Sequence, residues 1–275
     1  MKAAAFDHVG ASSEAQAVAL LAAGGGGAKA CGGRQSLGPM LNLRLVQVDQ
    51  LVDLHRLESL RRFEMRGDAL RIGAAVTHAR IEDGDLPDVT LGLLPAVAAN
   101  IAYRAVRNRG TLGGSLAHAD PAADWVATMC LLDAVIVLLR TDGERRLTTM
   151  KFLLGPFTTA LEADEIIVAV EVPVFSPSAR WAYRKTCRKP GEFAQAIGAA
   201  WIDPARGVAR ALMGALGGVP WVIEGEAEIA RLSQPAAMHA ALDEAGVEDD
   251  YERDVQAAML RRALRDLDSF RQASA

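Results

Sequence analysis

Two glycine-rich segments, Gly32-Gly33-Arg34-Gln35-Ser36-Leu37 and Gly110-Thr111-Leu112-Gly113-Gly114-Ser115, constrain this chain more than any other feature. Glycine has two common uses: a tight turn, or a stretch of backbone that must lie directly against another group. A phosphate demands the second, because several N–H donors have to point at one spot with no Cβ in the way. Ser36, Thr111 and Ser115 add hydroxyls. Two such segments suit the two sides of a pyrophosphate; either segment taken alone reads equally well as a turn.

The familiar dinucleotide fingerprints do not fit. Gly25-Gly26-Gly27-Ala28-Lys29-Ala30 satisfies GxGxxA on paper, but it follows a helical stretch and opens no long helix, the wrong context for a Rossmann turn. The five histidines, His8, His55, His78, His118 and His239, show no metal-ligand spacing. Cys31, Cys130 and Cys187 form no CxxC pair, so a disulfide framework, a zinc site or a thiolate-held iron–sulfur cluster is not expected. No nucleophile motif is present, and no catalytic residue or metal ligand is assigned.

With 275 residues, 51% of them apolar, the chain has room for one large domain or two unequal ones without a staple. Its net charge of −4 argues against nucleic acid or an anionic membrane as partner. No run approaches the ~18 apolar residues of a membrane span. The apolar run from Ala15 to Ala23 follows Asp7 and Glu14. It reads as a helix and not a secretion signal, so a cytoplasmic location is expected.

Local signals give a coarse map. Ser13 with Gln16 predicts a capping box opening the first helix. Strands are expected at 28–31 and 50–54, and a hairpin at 62–66 and 69–75 around Gly67-Asp68. A helix is expected over 91–107, another from Asp124 to Leu132, and strands at 134–139 and 165–172. Prolines 173 and 177 mark a candidate boundary. Beyond it lie strand-like runs at 179–187, 195–203 and 207–217, with a turn at Asp203–Gly207, then helices, one starting at Pro235. In the last helix Val255, Met259, Leu260, Leu264 and Leu267 recur at helical spacing.

Five ordered motifs then carry a resemblance over nearly the whole chain: GGRQSLGPMLNLRL at 32–45 followed by QLVDL, LRIGAAVTH at 70–78, GTLGGSLAHADPAAD at 110–124, TALEADEIIVAVEVP at 159–173, and Lys185, Arg188 and Glu192-Phe193-Ala194. In these the sequence resembles the FAD-binding medium subunits of molybdenum hydroxylases, the group of carbon monoxide dehydrogenase and the xanthine dehydrogenase flavin domain. The resemblance implies an α+β chain. Residues 1–175 would form a two-subdomain FAD-binding domain of the vanillyl-alcohol oxidase (PCMH) type, with subdomains of about 1–57 and 58–175. Residues 176–275 would form a small domain with a three-stranded antiparallel sheet and helices.

It also implies roles for residues. Gly32, Gly33, Arg34, Gln35, Ser36 and Leu37, with Gly110, Thr111, Gly114 and Ser115, match the two pyrophosphate segments of a non-covalent FAD site. Lys29 precedes the first. Ala123 and Asp124 match the region of an acid that bonds the sugar-like part of FAD. Ile101 and Ala102 match a stretch packing on the flavin, Leu161 a contact to the ring edge, and Lys185 a lysine beside the ring. Two departures stand out: Arg34 replaces a usual glycine, its guanidinium facing either a phosphate or solvent, and Phe193 stands where relatives carry tyrosine.

The implied function is electron transfer. The complex would hold its molybdenum cofactor on a large subunit and 2Fe-2S clusters on a small one, in a dimer of heterotrimers. This chain would take electrons from the clusters and pass them to NAD+, a quinone or another acceptor. Two other readings stay open: a self-contained FAD oxidase of the vanillyl-alcohol oxidase type, and an assembly subunit that has lost FAD.

Overall fold

The structure, a computed structural model, describes residues 2–273. The first region comprises β1 (Asp7–Gly10), α1 (Glu14–Ala23), β2 (Ala28–Cys31), α2 (Leu37–Asn42) and β3 (Gln50–Asp53). Its three strands form a parallel sheet in the order β1-β3-β2. Ser13 caps α1 as expected, its Oγ accepting the Gln16 N–H at 3.1 Å. The return bond differs: Gln16 Oε1 accepts from the Ser12 N–H at 2.6 Å, one residue earlier than a standard capping box.

The second region holds the hairpin β4 (Phe63–Arg66) and β5 (Ala69–Gly73), then α3 (His78–Glu82), α4 (Leu93–Ala99), α5 (Arg104–Arg107), α6 (Leu112–His118) and α7 (Asp124–Leu131). It continues through β6 (Val135–Arg140), β7 (Gly143–Thr148), α8 (Thr149–Phe152), β8 (Leu153–Gly155), β9 (Thr158–Thr159) and β10 (Ile166–Pro173). Five of these strands form an antiparallel sheet, β4-β5-β10-β6-β7. The β-prone run at 166–173 is its central strand, buried from Ile166 to Val172. The two faces divide by strand alternation, except that a β-bulge between Ile167 and Ala169 exchanges the faces along β10. Leu70, Ile72, Ile136, Leu138, Val170 and Val172 join the main core with α4, α6 and α7, whereas Val137, Ile166 and Val168 pack with Ala17, Val18 and Leu21 of α1.

Two expectations need correction here. The helix expected over 91–107 is broken: α4 ends at Ala99, α5 begins at Arg104, and Ala102 between them has φ +43°. A non-glycine residue in the left-handed region cannot continue a right-handed helix. The second glycine-rich segment is also not a loop throughout. Thr111 caps α6, and Leu112, Gly113, Gly114 and Ser115 form its first turn.

The third region is β11 (Arg180–Thr186), β12 (Ala196–Asp203), β13 (Val208–Gly214), β14 (Trp221–Glu224), α9 (Glu226–Arg231), α10 (Pro235–Glu244) and α11 (Asp250–Ala273). The three expected strands are present, antiparallel, and the short β14 adds a fourth at the edge. Gly207, at φ +64°, closes the turn between β12 and β13. Alternation again assigns faces. Ile197, Ala199, Trp201 and Leu212 join the main core, and Ala200, Ile202, Ala211 and Met213 join Met238, Leu242 and Leu260 of the terminal helices. Each such large apolar side chain stabilises the fold by roughly 1.5–3 kcal/mol when fully buried. The α+β class is as expected, and no described helix is long and apolar enough to cross a membrane.

Candidate functional site

The two glycine-rich segments, far apart in sequence, touch. A Cβ on Gly33 would lie 1.9 Å from the Arg109 carbonyl oxygen and 2.8 Å from Gly110 Cα. One on Gly32 would lie 3.0 Å from Thr111 Oγ1. Glycine at 33 is therefore required by close backbone approach, and that approach puts both segments at one place.

They differ in their free donors. Among the described residues, no protein acceptor meets the backbone N–H of Gly33, Arg34, Gln35, Ser36 or Leu37. The carbonyls of Arg34 and Ser36 turn the other way, accepting from Gly38 and Met40 at 2.9 and 3.1 Å. Arg34 has φ +62°, and successive N–H groups around a left-handed residue form an anion-binding concavity. In the second segment every N–H but that of Thr111 is spent. Leu112 donates to Val76 O, Gly113 to Ala74 O, Ser115 to Thr111 O, and Gly114 to Thr111 Oγ1. A helix's first turn leaves orphan donors, and here the neighbouring backbone and the cap take them. What this segment offers is the exposed backbone of Gly114 and the Ser115 hydroxyl, which has no protein partner among the described residues.

Arg34 does not point along the free donors. Its Nη1 lies 3.0 Å from His8 Nε2 and 3.5 Å from Asp53 Oδ2. Asp53 Oδ1 also accepts the His55 N–H at 2.9 Å. Lys29 is exposed on β2, where its charge helps hold the His118 imidazole below its usual pKa, behind the larger effect of burial. Behind the second segment, the His78 backbone N–H donates to Gly110 O at 2.9 Å and its ring Nδ1 accepts from Trp125 Nε1 at 3.0 Å. Burial, aided by Arg107, lowers its pKa to about 4, so the ring is neutral and fixed as an acceptor at Nδ1.

A second cluster forms at the start of α7. Lys185 Nζ of β11 lies 2.8 Å from Asp124 Oδ2 and 3.2 Å from Asn100 O. The lysine side chain is only 7% exposed. Tyr183, two residues earlier and so on the same face of the strand, donates its hydroxyl to Asp124 Oδ1 at 2.7 Å. Burial raises the Asp124 pKa, with Lys185 opposing the shift, and the Tyr183 phenol is pushed up by burial and by Asp124. Ala123, buried, is the N-cap residue of α7. Through Asn100 this cluster reaches Ile101, half-buried against the main core, and Ala102.

The remaining expected residues are less directly tied. A Cβ on Gly191 would lie 3.0 Å from Ala102 O, which brings the 191–193 turn beside this stretch, yet Phe193 is 60% exposed. Leu161 is half-buried at the main core, with its N–H on Thr159 Oγ1. The sequence reading omitted Tyr183, Asn100, Glu82, Arg107 and Arg109. Of these only Tyr183 had a signal, its spacing of two from Lys185 on a strand.

The geometry fits a dinucleotide cofactor. A row of free N–H donors at a surface where a Cβ cannot be accommodated suits a pyrophosphate, and a buried ion pair, Asp124 with Lys185, stands at the start of α7. Comparisons with known proteins agree. Residues 4–175 match the family model for the FAD binding domain in molybdopterin dehydrogenase. The 6-hydroxypseudooxynicotine dehydrogenase complex subunit alpha of Paenarthrobacter nicotinovorans is 37% identical over 194 residues, 70% of this chain but 66% of that relative's own length. The carbon monoxide dehydrogenase medium chain of Hydrogenophaga pseudoflava is also 37% identical, over 191 residues, 70% of this chain and 67% of the relative. The solved carbon monoxide dehydrogenase from Hydrogenophaga pseudoflava superposes with a TM-score of 0.86 at 33% identity, covering 98% of this chain and 99% of that one. Quinoline 2-oxidoreductase from Pseudomonas putida 86 gives 0.84 at 30% identity over 97% and 98%.

Proposed function

Because the chain belongs to the family of FAD-binding domains of molybdopterin dehydrogenases, we propose that it is the electron-transfer subunit of a cytoplasmic molybdenum hydroxylase complex. The single observation that carries the cofactor assignment is the row of unpartnered N–H groups at residues 33–37, held against Arg109 and Gly110. These N–H groups would hold the pyrophosphate of FAD, with Ser115 and the Gly114 backbone as the facing wall. Asp124 and Lys185 would lie toward the sugar-like chain and ring, with Ile101, Ala102, Leu161 and Phe193 as apolar surroundings. FAD, when bound, supplies a carrier that exchanges electrons singly or in pairs.

What the chain's own residues do is bind and tune. The Lys185 ammonium favours added negative charge nearby, and Asp124 moderates it. Tyr183 keeps its proton and fixes the Asp124 carboxylate. Among the described residues no group of three or more histidine, cysteine, aspartate or glutamate side chains is set to hold a metal. By likeness to the multi-subunit dehydrogenases it matches, the molybdenum cofactor would be held by a large subunit and 2Fe-2S clusters by a small one, as a dimer of heterotrimers. Electrons would enter from the clusters and leave to NAD+, a quinone or another acceptor.

The purified chain should be yellow and release FAD, not FMN, into the supernatant on acid precipitation. Its flavin absorbance should bleach with dithionite, but with the substrate of the native complex only after the partner subunits are added back. Released FMN would overturn the cofactor assignment. Fast bleaching by substrate without partners would replace this reading with the self-contained oxidase.

A further inference from the structure

The stretch between α4 and α5 is shaped by two cations. Lys185 Nζ donates to Asn100 O at 3.2 Å. Arg107 Nη1 donates to both Ile101 O and Ala102 O at 2.9 Å. Three consecutive carbonyls are thus drawn to side-chain cations. A peptide unit is planar and trans, so its N–H points opposite to its C=O. With the Ile101 and Ala102 carbonyls turned to Arg107, the N–H groups of Ala102 and Tyr103 are turned away from it. Neither has a protein acceptor among the described residues. Ala102 sits at φ +43° between them, the same local device as Arg34 in the pyrophosphate segment: a left-handed residue flanked by free donors. Strained backbone of this kind persists only where its surroundings enforce it.

The enforcing group is itself held. Glu82 of α3 takes Arg107 through two bonds, Nε to Oε2 at 2.7 Å and Nη2 to Oε1 at 2.8 Å. The Arg107 side chain is 12% exposed. Such a two-point fork fixes the guanidinium plane, which a lysine cannot reproduce. Arg104 braces the acid from outside, reaching Glu82 at 2.9 Å and Asp83 as well.

We propose that Arg107, clamped by Glu82, is a positioning residue that presents the Ala102 and Tyr103 N–H groups as a donor pair to an acceptor atom of the flavin ring system. This rests on the FAD reading above. Arg107 itself touches no cofactor atom in this scheme; it acts through the two peptide units.

The test uses the full chain, stripped of flavin, with Arg107→Gln, Arg107→Lys and Glu82→Gln variants. FAD affinity is read by fluorescence titration, the bound flavin by its absorption spectrum and reduction potential, and the flavin-free fold by thermal melting. Arg107→Gln should weaken FAD by at least about tenfold and shift both spectrum and potential. Arg107→Lys, reaching one carbonyl at most, should fall between it and the wild type, and Glu82→Gln should shift the same readouts less. A folded Arg107→Gln chain with wild-type affinity, spectrum and potential would overturn the proposal, as would a lowered melting temperature with those three unchanged. Should Arg107→Gln not fold, Glu82→Gln decides on the same readouts. A wild-type chain that binds no FAD would instead sink the reading beneath, a distinguishable failure.

Discussion

The two glycine-rich segments are alike in composition and unlike in use. Among the described residues, 33–37 keep five backbone donors free while the Arg34 and Ser36 carbonyls turn into α2; residues 112–115 spend their donors on Ala74, Val76 and Thr111 to begin α6. Gly33 exists so that one backbone can lie on the other, and Gly113 so that α6 can lie on Ala74, where a Cβ would meet Ala74 Cβ at 2.5 Å. The lesson is that glycine marks close approach, but whether donors remain for a ligand depends on what the chain does next. A segment that enters a helix against a neighbouring strand end has its first N–H groups claimed.

The largest effect should come from Gly33→Ala set against Gly113→Ala. Both overpack, at about 1–3 kcal/mol or more. At 33 the atom that must move is the Arg109 carbonyl at 1.9 Å, so the donor row and its wall separate and FAD retention should collapse. At 113 the cost falls on stability, while flavin per folded molecule stays much closer to wild type. Melting curves beside flavin-to-protein ratios separate the two. Equal loss of flavin in both variants would erase the distinction.

Acid should act on the second segment first. His78 supports Gly110 and is held neutral, with a pKa of about 4. The unfolded imidazole has a pKa of about 6.5, so the unfolded chain gains a proton that the native chain refuses as pH falls from 6.5 to 4. The native state loses about 3 kcal/mol across that window, at about 1.4 kcal/mol per unit, with no further loss from this group below it. Replacing His78 with glutamine, an uncharged residue of similar reach, should flatten that part of the stability–pH curve. A curve as steep as wild type would show that the acid sensitivity arises elsewhere.

Ser115→Ala tests what the second segment still gives. Its free hydroxyl supplies at most one bond to a charged phosphate, worth roughly 1.5–3 kcal/mol, about 10- to 150-fold in FAD affinity. The melting temperature of the flavin-free chain should barely change, because Ser115 Oγ has no protein partner among the described residues. No change in affinity would mean that α6 lines the site with backbone alone.

Much of this could be read along the chain, and the parts that could not have physical reasons. The hairpin around Gly67-Asp68, the central strand at 166–173 and β11 to β13 carry local turn chemistry and β-branched runs, which need no knowledge of the rest. β1 escaped because its four residues show no buried alternation and pair in parallel with a strand some forty residues on. α6 escaped because glycines hide a helix whose real signals are the Thr111 cap and the buried pair Leu112 and Leu116. The break at 100–103 depends on Arg107 and Lys185, whose grip no propensity reports. In the site, the family motifs marked Asp124 and Lys185 separately; their pairing across 61 residues is a tertiary fact.

The smallest effect should come from Arg34→Gly, and it asks whether the first segment needs its one unusual residue. Arginine at φ +62° costs about 1–2 kcal/mol relative to a right-handed conformation. Glycine removes that strain but adds unfolded-state entropy of about 0.5–1 kcal/mol. It also forfeits the half-exposed pair with Asp53, worth about 0–1 kcal/mol. These terms nearly cancel, so stability should stay within about 0.5 kcal/mol. FAD affinity should change by no more than about twofold, because the guanidinium faces His8 and Asp53 and the donor row is backbone. A titration finding FAD ten times weaker would mean that the guanidinium swings from Asp53 to a phosphate on binding. The first segment would then hold its ligand by a side-chain charge as well as by free N–H groups, and its contrast with the second would be sharper than the backbone alone makes it.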